Sequence, residues 1–230
     1  MVAKADPQAQ PTAVLFSAGL DSAVLAAEAA QRGRVQPLYV SVGFAWEEEE
    51  QAMAARLLAS RVFRGAVQPL VTLNFDMRDI FPPSHWAIRG EAPAFDTPDD
   101  DVYLEGRNVV LLTKASVYMA RAGMSTILIG PLAGNPFPDA RPEFFDAMAR
   151  ALSIGLSSPI SIEAPFSGLD KADVIRRGAA LGVPFELTLS CMQPRDGMHC
   201  GRCSKCRERR DGFADASVPD PTAYAVAPLR

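Results

Sequence analysis

The sequence predicts an α/β protein built on a doubly wound, mainly parallel sheet of five strands, with a cysteine-rich segment after it. Apolar runs alternate with helical patterns through most of the chain, and this alternation is typical of βαβ units. A tight turn of small residues follows the first run, and all four cysteines lie between residues 191 and 206. The 230 residues, 48% of them hydrophobic, suffice for one sizeable core with a small appendage.

Strands and helices are predicted in alternating order. The strands are the apolar runs at 12–16, 36–42, 67–73, 125–130 and 160–164. The helices follow from apolar residues at helical spacing and from end signals, at 20–32, 46–61, 109–121 and 143–152, with a further helix starting at 170. The second helix opens on four glutamates, residues 47–50. We expect this run to be a solvated helix start, because negative charge suits that end of the helix dipole.

The alternation breaks between residues 75 and 105. This stretch contains four prolines, the pair His85 and Trp86, and three consecutive aspartates at 99–101. Long irregular segments inside a compact domain are typically functional lids or disordered loops. The aspartates are compatible with magnesium binding, although surface charge is the favoured interpretation. The His85–Trp86 pair is compatible either with stacking on a heterocycle or with packing.

Composition and charge limit the classes of function. The formal net charge is −4 and the sequence pI is about 5.3, so we expect no nucleic acid as a partner. No apolar run approaches the roughly 20 residues that span a bilayer, and the polar N-terminus lacks the apolar core of a signal peptide. We therefore expect a cytoplasmic protein without membrane contact.

The same patterns divide the chain into four parts. Residues 1–11 are polar and predict a disordered lead. Strand and helix patterns fill 12–184, which we interpret as the α/β domain with its long loop at 75–105. The cysteines define a four-cysteine segment at 185–213, and a tail follows at 214–230.

The turn after the first strand is a candidate phosphate site. Residues 17–22 read Ser-Ala-Gly-Leu-Asp-Ser and lead straight into a helical pattern. A helix start offers unpaired backbone N–H groups and the positive end of the helix dipole, and both favour phosphate. The hydroxyls of Ser17 and Ser22 add donors, and Asp21 is suited to hold a metal. An ordinary strand–helix turn with an Asp/Ser cap is the alternative.

The cysteines form a candidate metal site. Their spacing is Cys-x8-Cys-x2-Cys-x2-Cys, at Cys191, Cys200, Cys203 and Cys206. Four thiolates suit a closed tetrahedral Zn2+ site, and in a reducing compartment such clustering favours metal over disulfides. An iron–sulfur cluster is the main rival, and buried unligated thiols are the third possibility. His199 is a candidate to replace one cysteine as a metal ligand, although four thiols are already present. A positive rim around the site is formed by Arg195, Arg202, Lys205, Arg207, Arg209 and Arg210. It is compatible with offsetting the charge of the thiolates and with holding an anionic substrate.

The phosphate turn and the cysteine segment together resemble the 7-cyano-7-deazaguanine synthase family of ATP pyrophosphatases. Further supporting segments are 106–113, 137–144 and 169–174, so the resemblance covers about residues 12–213. It implies an adenine nucleotide alpha hydrolase-like fold with a C-terminal zinc-binding segment. It also implies a ligase that activates 7-carboxy-7-deazaguanine with ATP as an adenylate. Ammonia then gives the amide, and a second ATP-dependent dehydration gives the nitrile, with AMP and pyrophosphate as products.

The resemblance assigns roles to individual residues. Ser17, Ala18, Gly19, Leu20, Asp21 and Ser22 would hold the pyrophosphate of ATP and its Mg2+, with Gly130 beside them at the end of the fourth strand. Asp21, Arg107 and Lys171 are the candidate catalytic residues, because adenylation needs the charge on the leaving pyrophosphate neutralised. Zn2+ would be structural and bound by the four cysteines, and a homodimer is expected. Without the resemblance, Arg107 is equally compatible with a helix surface and Lys171 with a capping turn.

The sequence departs from the family pattern at two places. Ala18 replaces the first glycine of Ser-Gly-Gly-x-Asp-Ser, which restricts the backbone. In the loop 131–142, Asn-Pro-Phe-Pro-Asp-Ala stands where the family shows Ser-Gly-Tyr-Pro-Asp-Cys. The resemblance implies that this loop touches the deazaguanine, so the acyl substrate stays open. The nucleophile stays open as well, and transfer of a deazaguanine or another acyl group to an amine on a protein or a nucleic acid is the alternative to ammonia. Two other functions are alternatives to the ligase. A tRNA thiolation enzyme would need a cysteine outside the metal site to carry sulfur, and all four cysteines are assigned to the metal. A non-enzymatic zinc-binding regulator would not need the loop residues, which are intact here.

Overall fold

The computed structural model describes residues 10–227, apart from the side chain of Asp99. Most of the predicted lead 1–11, namely residues 1–9, and the last three residues of the predicted tail lie outside the described part. Five strands form the sheet: β1 Thr12–Leu15, β2 Val35–Ser41, β3 Val71–Asn74, β4 Thr126–Leu128 and β5 Ser161–Glu163. The helices are α1 Leu20–Ala30, α2 Glu47–Leu58, α3 Trp86–Arg89, α4 Arg107–Ala122, α5 Pro142–Leu156, α6 Lys171–Leu181 and α7 Ser204–Ala216.

The sheet is parallel throughout and has the strand order β3-β2-β1-β4-β5. The chain therefore builds outward from β1 in one direction and then returns to the other side of β1. This confirms the predicted doubly wound fold. The reversal point lies between β1 and β4, where ligands bind in open α/β sheets, beyond the carboxyl ends of the strands.

Two apolar clusters cover the two faces of the sheet. Successive residues of a strand point to opposite faces, so Val14 packs in the cluster with α1, α2, α6 and α7, whereas Ala13 packs in the cluster with α4 and α5. Both residues are fully buried. The layering of helix, sheet and helix places the loops that follow β1 and β4 at one open edge.

Strand boundaries differ from the prediction most at β3. The run 67–73 was expected to be a strand, but Val67 makes only an isolated bridge to Val35, and regular pairing begins at Val71. Pro69 interrupts the ladder because it has no N–H to donate. Its carbonyl accepts a bond from the side chain of Gln36 at 2.9 Å instead.

The segment between β3 and α4 contains only the short helix α3 and one 3₁₀ turn, Asp99–Val102. Asp100 and Asp101 are exposed, as expected of surface charge. The segment nevertheless contributes Met77, Phe81, Ala87, Val102 and Leu104 to the core. Among the described helices, none combines the length and apolar character needed to cross a bilayer.

Candidate functional site

A cavity of about 340 Å3 opens at the edge of the sheet beyond β1 and β4. Its walls come from the turn after β1, the loop after β4, and the first turns of α4, α6 and α7. We call one part the loop end, lined by Ser17, Gly19, Asp21, Ser22, Lys171, Lys205 and Glu208. The other part is the aromatic end, lined by Tyr39, Trp46, Glu50 and Trp86.

The turn between β1 and α1 is braced by its own two serines. Ser17 Oγ accepts a bond from the backbone N–H of Gly19 at 3.3 Å. Ser22 Oγ accepts from the N–H of Ser17 at 3.3 Å and donates to the carbonyl of Gly19 at 3.0 Å. Gly19 is the N-cap of α1 and adds no side-chain cap bond. The first turn of α1 therefore presents its N–H groups and its positive dipole end at the cavity, as an anion site requires.

Gly130 lies against the same turn, whereas Ala18 is not among the residues that line the cavity. A Cβ at Gly130 would be 3.7 Å from Asp21 Cβ, in ordinary contact. Ala18 has a φ of +58° and a fully buried methyl group. Its carbonyl accepts a bond from the N–H of Leu189 at 2.8 Å, which ties the turn to the segment before the cysteines. Leu20, the remaining residue of the predicted set, is buried and lines the cavity.

Asp21 and Lys171, 150 residues apart in sequence, form an ion pair at the loop end. Lys171 Nζ lies 2.9 Å from Oδ1 and 2.7 Å from Oδ2 of Asp21. Lys171 is the first residue of α6, whose N-cap Asp170 accepts from the N–H of Asp173 at 2.7 Å. Burial alone would lower the pKa of Lys171, but the carboxylates of Asp21 and Glu208 raise it above its ordinary value. The structure thus joins two of the three predicted catalytic residues.

Helix α7 contributes residues to the loop end that the sequence analysis did not place there. Glu208 Oε1 lies 2.7 Å from Lys171 Nζ, and Oε2 lies 2.7 Å from Lys205 Nζ. Burial raises the pKa of Glu208, but Lys171 and Lys205 outweigh it and hold the value at about 2. Lys205 and Glu208 are three residues apart and therefore share a helix face. This three-residue spacing is the sequence pattern from which their common position could have been predicted.

Arg209, expected on a positive rim, is instead 2% exposed and belongs to the interior. Its guanidinium donates to the carbonyl of Phe185 at 2.8 Å, and to the hydroxyls of Thr188 at 2.8 Å and Thr222 at 2.6 Å. A buried guanidinium is retained only when its donors are satisfied, so this network fixes α7 against the segment that precedes the cysteines.

The aromatic end combines stacked indoles with a buried carboxylate. Trp46 and Trp86 stack with ring centroids 5.5 Å apart and an interplanar angle of 12°. Glu50 is 8% exposed and accepts a bond from Tyr39 Oη at 2.8 Å. Burial raises the pKa of Glu50 to about 7, although Arg107 and Tyr39 favour the ionised form. Burial, and then Glu50, also raise the pKa of Tyr39.

The prediction that residues 47–50 form a solvated helix start is therefore wrong for Glu47 and Glu50. The run does open α2, but Glu47 is only 6% exposed and Glu50 points into the cavity. Glu47 accepts from Ser41 Oγ at 2.6 Å and from the N–H of Val42 at 2.8 Å. It is buried because it satisfies backbone donors where β2 ends, a contact that helical periodicity does not reveal. Of the four glutamates only Glu48 is exposed, and Glu49 is half-buried.

Arg107 begins α4 and lines the cavity, as the sequence predicted for its position. The carboxylates that interact with it are Glu50 and Asp139. Its Nε–H is buried and has no hydrogen-bond partner among the described residues, and the same holds for Asp139 Oδ1. Asp139 accepts from the N–H of Asn108 at 3.1 Å, so the divergent loop 131–142 packs against the start of α4. Burial raises the pKa of Asp139.

The four cysteines converge as predicted. Cys191, Cys200, Cys203 and Cys206 are all buried, none is in a disulfide, and their Sγ atoms lie within 4.8 Å of one another. The closest pairs are 3.5 and 3.9 Å apart, near the roughly 3.8 Å edge of a tetrahedron with Zn–S bonds of about 2.3 Å. Backbone N–H groups of Gln193, Cys200 and Arg202 donate to the sulfurs at 3.2–3.3 Å. The site fits a tetrahedral metal ion.

His199 lies outside the cysteine group. Its Nε2 accepts a bond from the backbone N–H of Ser190 at 3.1 Å. Burial, and then the charge of Arg209, lower its pKa to about 3. The imidazole is therefore neutral and engaged in packing, with Tyr224 edge-on at 5.8 Å.

Fold and site together define a class of protein: α/β enzymes with a phosphate-type turn after β1 and a four-cysteine cluster near the C-terminus. Residues 12–217 match the family described as "Queuosine biosynthesis protein QueC". The chain belongs to this family, which confirms the resemblance drawn from its motifs.

Relatives of the chain carry a consistent name. A 7-cyano-7-deazaguanine synthase from Anaeromyxobacter dehalogenans is 34% identical over 97% of this chain and 100% of the relative. The synthase from Azoarcus sp. is 38% identical over 92% of this chain and 95% of the relative. Among solved structures, a 4-thiouridine synthetase in complex with RNA and ATP aligns with a TM-score of 0.49 at 16% identity, over 90% of this chain and 51% of that one.

Proposed function

We propose that the chain synthesises 7-cyano-7-deazaguanine from 7-carboxy-7-deazaguanine and ammonia, with two ATP-dependent activations. Family membership supports the product, and relatives of that name match over nearly their full length. The observation that carries the mechanism is the Asp21–Lys171 pair beside the helix start of α1 in one cavity. A carboxylate becomes an electrophile only when its oxygen is converted into a leaving group. The loop end supplies the groups that such an activation needs.

The loop end would hold the pyrophosphate portion of ATP. In the first activation a carboxylate oxygen attacks the α-phosphorus and pyrophosphate leaves, so negative charge grows on the leaving group. The N–H groups at the start of α1, with Ser17, Ser22 and Lys171, would neutralise that charge. Magnesium, held by Asp21, would add further charge neutralisation at the phosphates. Arg107 would donate its unpartnered Nε–H to an oxygen of the bound ligand.

The aromatic end would hold the heterocycle. A deazaguanine is planar and stacks on indole, and its pyrimidine ring carries an N–H and an amino group on one edge. Glu50 faces the cavity beside Trp46 and Trp86, and a carboxylate pairs with two neighbouring N–H donors. We assign Glu50 to that edge. The bond from Tyr39 occupies one of the acceptor sites of the carboxylate and fixes its orientation.

The cysteine group would hold one structural Zn2+. The four thiols are buried and converge, which is typical of closed zinc sites that contribute folding energy rather than chemistry. We place the enzyme in the cytoplasm, without nucleic acid or membrane partners, and as a homodimer. Exposed apolar residues on the neighbouring helices α4 and α5, namely Val109, Val117 and Ile154, support self-association. Light scattering of the purified protein tests the dimer.

Mass spectrometry of the products tests the proposed reaction. The protein is mixed with ATP, Mg2+, ammonia and 7-carboxy-7-deazaguanine, with matched reactions that omit ATP or ammonia. We expect the nitrile together with AMP and pyrophosphate. If the amide accumulates and no nitrile forms, the proposed second activation is wrong. If a product forms only after another amine is added, ammonia is not the nucleophile. Release of ADP in place of AMP would contradict adenylation.

A further inference from the structure

A chain of four charged side chains joins the turn after β1 to helix α7. Lys171 Nζ lies 2.7 Å from Asp21 Oδ2 and 2.7 Å from Glu208 Oε1, and Glu208 Oε2 lies 2.7 Å from Lys205 Nζ. All four line the loop end, and their side chains are between 16% and 29% exposed. Two cations and two carboxylates balance, so the group as a whole is neutral without ligand.

The backbone of α7 is shaped to let Lys171 reach this position. A Cβ at Gly212 would lie 2.4 Å from Lys171 Cγ and 3.1 Å from Ile175 Cδ1. The aliphatic stem of Lys171 therefore crosses α7 where that helix has no side chain. Gly212 is one turn beyond Glu208, so the same helix provides both the passage for the stem and the carboxylate that receives the ammonium.

The metal group sets where α7 begins. Cys203 is the N-cap residue of α7, and Cys206 lies in its first turn. Lys205 and Glu208 flank Cys206 on the helix, so the fold of the cysteine segment decides whether their side chains reach the cavity. These contacts connect two parts of the molecule that the sequence motifs present as separate.

We propose that α7 is part of the ATP site, with Lys205 binding the pyrophosphate portion and Glu208 acting as a positioning residue for Lys171 and Lys205. This inference rests on the proposed function, because it takes the loop end as the place of the phosphates. An ammonium has three donors, and Lys205 uses one on Glu208, which leaves donors for phosphate oxygens. Two lysines near one polyanion repel each other when it is absent. Glu208 between them holds both in place before ATP arrives.

The test measures binding of Mg·ATP and of inorganic pyrophosphate by calorimetry, using the full-length, metal-loaded protein. The variants are Lys205→Met, Lys205→Arg and Glu208→Gln. Asp215→Asn is the matched control, since Asp215 is an exposed acid on the same helix. We expect Lys205→Met to raise both dissociation constants at least tenfold and Lys205→Arg to restore most of the affinity. We expect Glu208→Gln to raise the KM for ATP about tenfold with a smaller change in kcat.

Metal content and Tm are measured for each variant to separate structural damage from loss of positioning. Both values should match those of the control Asp215→Asn. If Glu208→Gln alone lowers the Tm, Glu208→Asp, which keeps the negative charge but withdraws it from Lys171 and Lys205, serves instead with the same expected rise in the KM for ATP. Affinities within twofold of wild type in Lys205→Met, or a KM for ATP unchanged in Glu208→Gln, would overturn the inference. Wild-type protein that binds pyrophosphate but makes no nitrile would count against the proposed function alone.

Discussion

At the loop end of the cavity, charged side chains pair with one another; at the aromatic end, the buried carboxylate of Glu50 accepts a hydrogen bond from the neutral Tyr39. Asp21, Lys171, Glu208 and Lys205 form a chain of ion pairs across three helices. Glu50 has a pKa of about 7 because burial disfavours its charge. Both ends are polar, but only the loop end is built from paired opposite charges.

The difference corresponds to what each end would bind. A polyanion needs permanent positive charge that is held in place before the ligand arrives, and mutual ion pairs hold it there by offsetting the cost of desolvating each charge. A neutral heterocycle needs a flat apolar surface with one or two oriented acceptors. Both tryptophans of the chain, Trp46 and Trp86, lie in the aromatic end. Tryptophan fluorescence therefore reports on that end alone and allows the two ends to be separated by experiment.

The largest expected effect comes from removing the support of the loop end. Cys203→Ala should lose the metal and lower the free energy of unfolding by at least about 3 kcal/mol, since structural metal sites contribute folding energy. For a chain of this size that corresponds to a fall in Tm of about 10 °C. Metal analysis and thermal melts measure both. Chelator treatment of the wild type should give the same loss, and a variant with one zinc per chain and an unchanged Tm would contradict the site.

The second effect is confined to chemistry at the loop end. Asp21→Ala should lower the rate of AMP formation by at least about 100-fold, because it removes the proposed metal ligand and the partner of Lys171. The fold should persist, since Lys171 retains Glu208. Tryptophan quenching by 7-carboxy-7-deazaguanine should be unchanged.

Asp79→Ala provides the control for that comparison, because Asp79 is an exposed aspartate in the segment after β3. It should leave both AMP formation and quenching at wild-type values. Full activity in Asp21→Ala would remove Asp21 from the site. Loss of quenching in the same variant would show that the two ends are not independent.

The loop end is more predictable from the sequence than the aromatic end, for a physical reason. The turn at 17–22 is a local structure: a strand, small residues and a helix start determine it within about ten residues, and the serine bonds confirm that it is self-contained. The cysteines are likewise recognisable as metal ligands from their spacing, because this metal site takes all its ligands from one short segment. The parallel sheet followed from alternation alone.

The aromatic end depends on tertiary contacts that no local pattern contains. Glu50 looks like part of an exposed acidic helix start until the structure shows Tyr39 from the neighbouring strand donating to it, and Trp86 from the irregular segment stacking on Trp46 at the same end of the cavity. Glu208 was overlooked for a similar reason, since its partner Lys171 lies in another helix. Buried charge is the feature least visible in sequence, because the residue types are those of the surface.

A third experiment tests the aromatic end. Glu50→Gln should raise the KM for the deazaguanine acid about five- to tenfold, the difference between a charged and a neutral hydrogen bond. The KM for ATP should change less than twofold. Fluorescence titration with the acid substrate measures the binding directly, and Glu48→Gln on the exposed face of the same helix is the control. A KM for the acid equal to that of the control would remove Glu50 from base recognition.

The same variant should change the pH dependence of stability. The pKa of Glu50 rises from 4.5 to about 7 on folding, so the native state binds more protons than the unfolded state between these values. Wild-type stability from this group is therefore present below pH 4.5 and is lost as the pH rises to 7. Glutamine does not titrate, so the free energy of unfolding of Glu50→Gln relative to wild type should rise by about 3 kcal/mol between pH 4.5 and pH 7. Above pH 7 the difference should stay constant. Denaturant titrations at pH 5, 6, 7 and 8 measure the gain, and parallel profiles would contradict the burial of the charge.

The smallest effect concerns Ala18, where this chain departs from the family pattern inside the turn. Its φ of +58° is costly for any residue with a Cβ, by about 1–2 kcal/mol. Ala18→Gly relieves that cost but adds about 0.5–1 kcal/mol of unfolded-state entropy. It also removes a fully buried methyl group worth about 0.8 kcal/mol. The three contributions nearly cancel, so the free energy of unfolding should change by less than about 1 kcal/mol.

Ser157→Gly is the matched control for this balance, since Ser157 has a φ of +48° at the end of α5 but is exposed and buries no methyl group. It should stabilise the protein by about 1 kcal/mol, and the difference between the two variants isolates the contribution of the buried methyl. Because Ala18 does not line the cavity, the KM for ATP should stay within twofold of wild type in Ala18→Gly. A large gain in ATP affinity would show instead that the methyl holds the turn in a less favourable shape for phosphate, and that the loop end of this chain has drifted from its relatives.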